Sequence, residues 1–432
     1  MNEYRFILND YHAIKEADIS IDGITVIAGR NGCGKSTISK WLYAFIKYSN
    51  DFNRLVDERL LKQLNGEIRK MLRILRNIDL DNIDTSREFK SISPSIFYYE
   101  DFNYDDLFAL FESKLRSFCS VVDHAVSNSE DRNLRRWLQK SLGSENSLFG
   151  DFLSSYFETS LNDVNEEIRF AQEAKYKGNT DELLYFIRKE LDIYGDYPRN
   201  FSLEENGMRL IEPYRFRPPL GLRNAIYIDT PMALSKHPSS ENYIWDSLMK
   251  SLTYPIQEMP KEALNLLMLL RRIMGGKVIV NKDELNRDND IRYIRKDDGL
   301  DIPIDEAATG LKTFAYMMRL LENGYLNQNS LLLIDEPEAH LHPQWIVELA
   351  KVLVLVHKVL GTKILIASHN PDMIAALQSI SRAEGIAEVT KFYQAKQYKP
   401  SLKYYYEYLG NDIEKIFSSF NVALERIKYY GE

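Results

Sequence analysis

The chain has 432 residues, enough for two or three domains of ordinary size, and its hydrophobic (44%) and charged (27%) shares are those of a globular protein. No apolar run approaches the roughly 18 residues of a membrane span, and a strand-like segment follows the first residues, so we expect neither a membrane span nor a signal peptide. Two cysteines exclude a disulfide framework and favour the cytoplasm, while the net charge of −8 argues against a generally basic nucleic-acid surface but allows a local basic groove.

A phosphate-binding loop follows the first predicted strands. Residues 24–28 form a short apolar run, and residues 29–37 then match G-x-x-x-x-G-K-[ST] ahead of a helix-like segment. In such a loop the backbone N–H groups face phosphate oxygens, Lys35 reaches the β- and γ-phosphates, and the Ser36 hydroxyl ligates Mg²⁺. The predicted cofactors are ATP and Mg²⁺, and the nucleotide-binding residues are Asn31, Gly32, Cys33, Gly34, Lys35, Ser36 and Thr37.

From residue 51 to 219 the pattern becomes helical and rich in charge. An apolar stripe runs through residues 60–75 at helical spacing, opposite a basic face that includes Lys62, Arg69 and Arg73. We interpret this basic face either as a solvated helix surface or as a contact for nucleic acid or an acidic partner. The heptads are too short for an extended coiled coil, so residues 51–219 are interpreted as a helical insertion.

Two carboxylates end an apolar strand in the second half of the chain. Residues 331–335 are followed by Glu336, which is the pattern of a Walker B strand. Asp335 is expected to hold Mg²⁺ and Glu336 to polarise the attacking water. A further predicted strand, residues 363–367, leads into His369. Because ligands bind at the carboxyl ends of strands in α/β sheets, we expect these side chains to lie beside the phosphate loop.

These features resemble ABC-type ATPases of the OLD, RecF and SMC kind. Residues 335–343, D-E-P-E-A-H-L-H-P, are similar to the D-E-P-E-x-H-L-H-P run of the OLD-like group. The resemblance implies an α/β fold, in which an ABC-type P-loop ATPase head has a mixed sheet flanked by helices and a helical insertion between Walker A and the signature segment. The head is expected in residues 1–50 and 220–390. Within the group, residues 307–312 and 409–424 look most like PtuA-like ATPases of Septu and retron-associated antiphage systems.

The resemblance also implies roles in catalysis. His369 would be the switch histidine that acts with Glu336 on the γ-phosphate and the attacking water. Residues 304–312 open a helix where the family carries its signature, although Ala308 stands at the position of the family's serine. The signature residues expected to contact ATP bound by the other protomer are Thr309, Gly310 and Lys312.

Other positions stay open to two interpretations. Asp229 and Thr230 follow a predicted strand, and they either replace the family's metal- and water-sensing glutamine or cap a strand end. Tyr11 and Lys15 are candidates to hold the adenine, although a tyrosine at a strand end is also expected simply to pack. The resemblance places His340 and His342 in the D-loop at a dimer interface rather than on a metal.

We therefore predict a cytoplasmic ATP-hydrolysing homodimer, or an assembly of dimers, that gates an HNH-type nuclease encoded nearby in phage defence. The tyrosine-rich segment 391–432 is interpreted either as a docking surface for that partner or as part of a small C-terminal core. The alternative function is a RecF- or SMC-like repair or recombination ATPase that binds DNA without a nuclease, so direct contact with DNA or RNA stays open. A third interpretation is a scaffold that hydrolyses ATP very slowly, because Ala308 lacks the signature hydroxyl.

Overall fold

The computed structural model describes residues 3–78, 103–127, 132–142, 149–191, 198, 200–229, 243–281, 290–399 and 401–417. Predictions that fall elsewhere, such as Thr230 and residues 418–432, lie outside the described residues. The chain divides into two compact units. The head unit comprises Met1–Asn50 and Thr180–Glu432, and the inserted unit comprises Asp51–Asn179.

The described strands all belong to two sheets of the head unit. In chain order they are β1 (Tyr4–Tyr11), β2 (Ile14–Ile21), β3 (Ile24–Ala28), β4 (Asn200–Glu205), β5 (Met208–Arg209), β6 (Asn224–Ile228), β7 (Lys277–Asn281), β8 (Asp290–Arg295), β9 (Leu300–Pro303), β10 (Ser330–Asp335), β11 (Lys363–Ser368), β12 (Thr390–Gln397) and β13 (Tyr404–Gly410). The larger sheet has the order β5-β4-β1-β2-β13-β12-β3-β11-β10-β6, and β7-β8-β9 form a small antiparallel sheet.

The described helices are divided between the two units. They are α1 (Lys35–Arg76), α2 (Tyr104–Ser127), α3 (Arg132–Leu142), α4 (Phe149–Lys177), α5 (Thr180–Glu190), α6 (Tyr243–Thr253), α7 (Leu264–Met274), α8 (Thr309–Glu322), α9 (Pro343–Leu360) and α10 (Pro371–Ala383). Helix α1 begins in the head unit and ends in the inserted unit. No helix of the described residues is long and apolar enough to cross a membrane.

The centre of the large sheet is parallel. Strands β12, β3, β11, β10 and β6 pair in parallel, so their carboxyl ends lie at one edge. Every residue of β3, β10 and β11 is buried, as their continuous apolar runs require of strands covered on both faces. The core contains residues of these strands and of α6 to α10. The prediction of a mixed sheet flanked by helices, with a helical insertion, is confirmed.

The boundaries of the units differ from the expected ones. Residues 180–219 lie in the head unit, because β4 pairs antiparallel with β1. Residues 391–397 and 404–410, within the segment expected to be a separate tail, also lie in the sheet, because β12 pairs with β3 and β13 pairs with β2. Pairing between strands so distant in the chain leaves no local pattern in either segment, so the sequence alone placed both outside the head.

The inserted unit has an apolar core of its own. The predicted stripe at residues 60–75 is buried, and the basic face opposite it is exposed. Phe111 and Phe118 of α2 are fully buried. A polar cluster joins three segments of the unit, since Lys175 Nζ donates to Asp57 Oδ2 at 2.8 Å and to the Tyr104 hydroxyl at 3.0 Å.

Candidate functional site

The phosphate loop connects buried β3 to α1. Gly32 and Gly34 have φ angles of +80° and +97°, in the left-handed region that side chains beyond glycine adopt only with strain. A Cβ atom at Gly29 would lie 2.7 Å from Cys33 Sγ and 2.8 Å from Ala395 Cβ. Gly32 and Gly34 therefore allow the backbone to turn with positive φ angles, and Gly29 allows the loop to pack closely on β12.

The polar residues of the loop lie at the first turn of α1. Lys35 is buried, and its Nζ donates to the carbonyl oxygens of Gly29 at 2.9 Å and of Arg30 at 3.1 Å. Ser36 is exposed and Thr37 is half-buried, while Asn31 lies exposed in the loop. The Lys35 ammonium, the Ser36 hydroxyl and the N-terminus of α1 thus lie close together, as the binding of a phosphate requires.

A tyrosine of β13 holds the phosphate loop through a hydrogen bond to its backbone. The Tyr406 hydroxyl of β13 donates to the Cys33 carbonyl oxygen at 2.9 Å. Burial raises the pKa of Tyr406 well above its usual value, so the hydroxyl keeps its proton and stays a donor. No local signal in the sequence distinguishes Tyr406 from its neighbouring tyrosines.

Asp335 is buried at the carboxyl end of β10, beside α1. It accepts hydrogen bonds from Ser39 Oγ at 2.7 Å and from the Tyr227 hydroxyl at 3.0 Å. Burial raises the pKa of Asp335, and hydrogen bonds from Ser39, Ser36 and Tyr227 oppose that rise. Carboxylate and hydroxyl oxygens are the ligands that Mg²⁺ takes in proteins, so Asp335 and Ser36 fit this ion.

A second carboxylate lies close to Asp335. Asp229 follows β6, its Oδ2 lies 3.1 Å from Lys40 Nζ, and its charge contributes to the raised pKa of Asp335. The Lys40 ammonium also lies 5.9 Å from the ring centroid of Tyr227. Asp229 therefore acts electrostatically on Asp335, and the two interpretations of its role stay predictions.

Glu336 lies in a backbone conformation unusual for its type. Its φ is +46°, and its amide donates to the Ala367 carbonyl oxygen at 2.7 Å. This places the half-buried Glu336 carboxylate opposite His369, which follows β11. Glu336 Oε1 lies 3.4 Å from His369 Nδ1. The two predicted catalytic residues, 33 positions apart in the chain, are therefore neighbours. Backbone strain of this kind is concentrated at functional sites.

The signature segment opens α8. Ala308 is exposed and precedes the helix without a side-chain cap, and Thr309 is half-buried. A Cβ at Gly310 would lie 2.7 Å from Leu341 Cδ2, so the helix start packs directly on the segment before α9. The Lys312 side chain is buried and donates to the Asp305 carbonyl oxygen at 2.8 Å, which directs its ammonium into its own segment.

The remaining predicted residues have local partners. Tyr11 is buried, stacked on His12 at 4.0 Å between ring centroids and edge-on to Trp41, which agrees with the interpretation that it packs. Lys15 Nζ lies 2.8 Å from Asp10 Oδ1. His342 caps α9 by accepting from the Gln344 amide, and His340 is exposed at a φ of +61°. Within the described ranges, no three histidine, cysteine or acidic residues are grouped as a metal site.

Comparison with known families identifies this arrangement. The family described as AAA ATPase domain matches residues 4–374, most of the chain. The chain belongs to the AAA ATPase domain family. Its P-loop ATPase character, predicted from residues 29–37 and 335–336, is thereby confirmed. No curated protein sequence matches this AAA ATPase significantly.

Solved structures with similarity to this AAA ATPase include SMC head domains. The SMC head domain from Thermotoga maritima is 11% identical with a TM-score of 0.36, covering 95% of this chain and 99% of that one. The Smc head domain with an extended coiled coil, bound to the C-terminal domain of ScpA and derived from Pyrococcus furiosus, is 11% identical with a TM-score of 0.35, covering 99% and 100%.

Sequence reasoning missed two further polar residues of the AAA ATPase site. Ser39 lies one helical turn after Lys35, and Tyr227 lies two positions before Asp229 on β6. Helical and strand periodicity place both on the site's side of their elements, a signal that was available. Only the fold shows that their hydroxyls meet at the buried Asp335.

Proposed function

We propose that this protein hydrolyses ATP with Mg²⁺ at the carboxyl edge of β3, β10 and β11. The observation that carries the proposal is the meeting of groups from three strand ends. Lys35 and Ser36 follow β3, Asp335 ends β10, and the Glu336 carboxylate lies against His369 after β11. Phosphate binding, metal binding and water activation thus have candidate residues at one edge of the sheet.

Each residue has a distinct part in the proposed reaction. The loop N–H groups and Lys35 would bind the β- and γ-phosphates, and Ser36 and Asp335 would hold Mg²⁺, which would supply positive charge against the phosphates. Glu336 orients the attacking water and accepts its proton. His369 lies against Glu336 and contacts the attacking water through its imidazole. Positioning and electrostatics supply most of the rate in phosphoryl transfer, and these residues are the ones proposed to supply both.

The first prediction tests the base. Glu336→Gln keeps the shape of the side chain but removes the proton acceptor, so we expect ATP affinity within about threefold of wild type and kcat lower by about 10²-fold or more. Equilibrium binding of a fluorescent ATP analogue and steady-state phosphate release measure the two quantities separately.

The matched control is Glu388→Gln. Glu388 is exposed and lies just before β12, at the opposite edge of the sheet from the site. Its substitution should leave both ATP binding and kcat unchanged. Hydrolysis by Glu336→Gln at the wild-type rate would contradict the assignment of Glu336 and of the hydrolytic site.

We further propose that ATP bridges two copies of the chain. The support is the start of α8, where Ala308 is exposed and no side chain caps the helix N-terminus. In a dimer of the kind implied by the family resemblance, this segment faces the γ-phosphate held by the other protomer. Thr309 and Gly310 contribute chiefly through backbone N–H groups, and Lys312 holds the segment through Asp305.

The partner proposed for this dimer is an HNH-type nuclease, with ATP occupancy gating its activity in phage defence. This proposal rests on the sequence resemblance in residues 335–343, 307–312 and 409–424. The second prediction is that the protein co-purifies with the nuclease encoded beside it and that ATP changes cleavage of DNA by the complex at least about threefold. A protein that binds no neighbouring gene product, but whose hydrolysis is stimulated by duplex DNA in a salt-dependent way, would support the repair ATPase instead.

A further inference from the structure

A buried carboxylate without an assigned role lies behind the catalytic pair. Glu338 is 5% exposed and sits in the turn between β10 and α9, where its carbonyl oxygen accepts from the Leu341 amide at 3.0 Å. Its Oε2 has no hydrogen-bond partner among the described residues. A buried carboxylate is costly to desolvate, so its presence at this position calls for a compensating function.

Glu338 Oε1 holds the start of the segment that carries the switch histidine. It accepts from Ser368 Oγ at 2.7 Å and from the His369 amide at 3.1 Å. Ser368 Oγ in turn accepts from the Asn370 amide at 3.1 Å. Glu338 Oε1 therefore binds Ser368 and His369 directly, and Asn370 indirectly through the Ser368 hydroxyl.

The same carboxylate also faces the His369 ring. Nδ1 lies 3.5 Å from Glu338 Oε1 and 3.4 Å from Glu336 Oε1, and neither contact has hydrogen-bond geometry. Two acceptor oxygens on one side favour the tautomer with its proton on Nδ1. Nε2 then carries no proton, faces away from both carboxylates and can accept a hydrogen bond from the attacking water. Burial raises the pKa of Glu338, while the bonds from Ser368 and the His369 amide oppose that rise.

We propose that Glu338 is the positioning residue of the site, which holds the His369 imidazole against Glu336 and keeps its proton on Nδ1. The inference rests on the proposed ATP hydrolysis, because it assigns Glu338 to His369 and not to the substrate. It differs from a purely structural role in one respect. A structural carboxylate stabilises the fold whatever occupies position 369, whereas a positioning carboxylate matters to turnover only while the imidazole is present.

The experiment is a double-mutant cycle with Glu338→Gln and His369→Ala, in which steady-state hydrolysis of ATP gives kcat and KM for each variant. The amide of glutamine keeps an acceptor for Ser368 and the His369 amide but loses the charge facing Nδ1. We expect Glu338→Gln to lower kcat about tenfold with KM for ATP within about twofold of wild type. In the His369→Ala background the same substitution should change kcat less than about twofold. An equal loss in both backgrounds would overturn the proposal.

The matched control is Glu205→Gln, at another buried carboxylate of the head unit. Glu205 is also 5% exposed, and it accepts from the Leu220 and Gly221 amides at 2.8 Å each. Its substitution should lower thermal stability and leave kcat unchanged. A loss of kcat in Glu205→Gln equal to that in Glu338→Gln would show general destabilisation and overturn the positioning role.

A spectroscopic measurement keeps this inference separate from the proposed function. The chain has seven histidines, and the ¹⁵N imidazole signals of His369 are assigned by their loss in His369→Ala. We expect the Nδ1-protonated pattern in wild type and a shift towards the Nε2-protonated pattern in Glu338→Gln. Identical His369 signals in the two proteins would overturn the proposal. Because this readout needs no turnover, a wild-type protein that hydrolyses no ATP would contradict the proposed function alone.

Discussion

The charge around Asp335 is set by two neighbours with opposite signs. Asp229 brings a second carboxylate close to it, and the Lys40 ammonium, 3.1 Å from Asp229, offsets part of that charge. Tyr227 joins them, because its hydroxyl donates to Asp335 and burial next to both carboxylates raises its pKa well above the usual value. The negative charge around a cation at Asp335 is thus partly balanced. Removing the charge of Asp229 and removing the charge of Lys40 should therefore shift the affinity for that cation in opposite directions.

The prediction at this scale is a pair of shifts in Mg²⁺ dependence. Asp229→Asn removes a negative charge, so the Mg²⁺ concentration for half-maximal hydrolysis should rise about two- to fivefold. Lys40→Gln removes the balancing positive charge, so the same midpoint should fall by a similar factor. Metal titration of phosphate release at constant ionic strength measures both.

A comparable ion pair outside the site provides the control. Lys391 Nζ lies 3.4 Å from Asp22 Oδ2 near the amino ends of β3 and β12. Lys391→Gln should leave the Mg²⁺ midpoint unchanged. Shifts of Asp229→Asn and Lys40→Gln in the same direction would show that charge balance is not what these residues supply.

At the scale of elements, the start of α8 and the segment before α9 behave as one packed unit. Gly310 is buried against Leu341, and a Cβ there would also lie 3.4 Å from the ring of Trp345. Trp345 in turn packs edge-on against Phe314, with 5.4 Å between ring centroids. The glycine of the signature therefore has a packing role within the chain, in addition to the nucleotide contact proposed for it.

The corresponding prediction concerns stability. Gly310→Ala should lower the free energy of unfolding by about 1 kcal/mol or less, because the added methyl group must displace Leu341 Cδ2, the end of a half-buried, flexible side chain. In a Leu341→Ala background this cost should disappear, since the overlapping atom is gone. Urea denaturation followed by circular dichroism measures both values.

The same substitution elsewhere should have the opposite sign. Gly66 lies inside α1 with open space where a Cβ would stand, so Gly66→Ala should stabilise the protein by about 0.5–1 kcal/mol. Equal losses of stability at positions 310 and 66 would show that the contact with Leu341 does not decide the effect.

At the scale of the whole molecule, the large sheet is built from segments of the chain that lie far apart in sequence. β1 pairs with β4, although the residues of the inserted unit separate them in the sequence. β3 lies between β11 and β12, which come from the second half of the chain. Such pairings bring the phosphate loop, Asp335 and His369 to one edge. They also place Tyr406 under the loop, so the tyrosine-rich segment contributes to the head core as far as it is described.

Short segments of the sequence were enough to predict the ATPase motifs and the type of many helices and strands. Glycines that permit positive φ, a lysine before a hydroxyl, and paired acids after an apolar run each need only a few neighbouring residues, so residues 29–37 and 335–336 predicted a P-loop ATPase. Buried parallel strands were recognisable as continuous apolar runs, and the inserted helices as amphipathic stripes.

Only the tertiary structure decided which distant groups meet. No local pattern pairs Ser39 and Tyr227 with Asp335, places Glu338 behind His369, or directs the Lys312 ammonium to Asp305, since each contact depends on strand order and on how helices pack on the sheet. For the same reason, residues 180–219 and 391–410 belong to the head unit, although the sequence predicted them to lie outside it. Short-range propensities specify elements and motifs, whereas burial and non-local hydrogen bonding specify the site assembled from them.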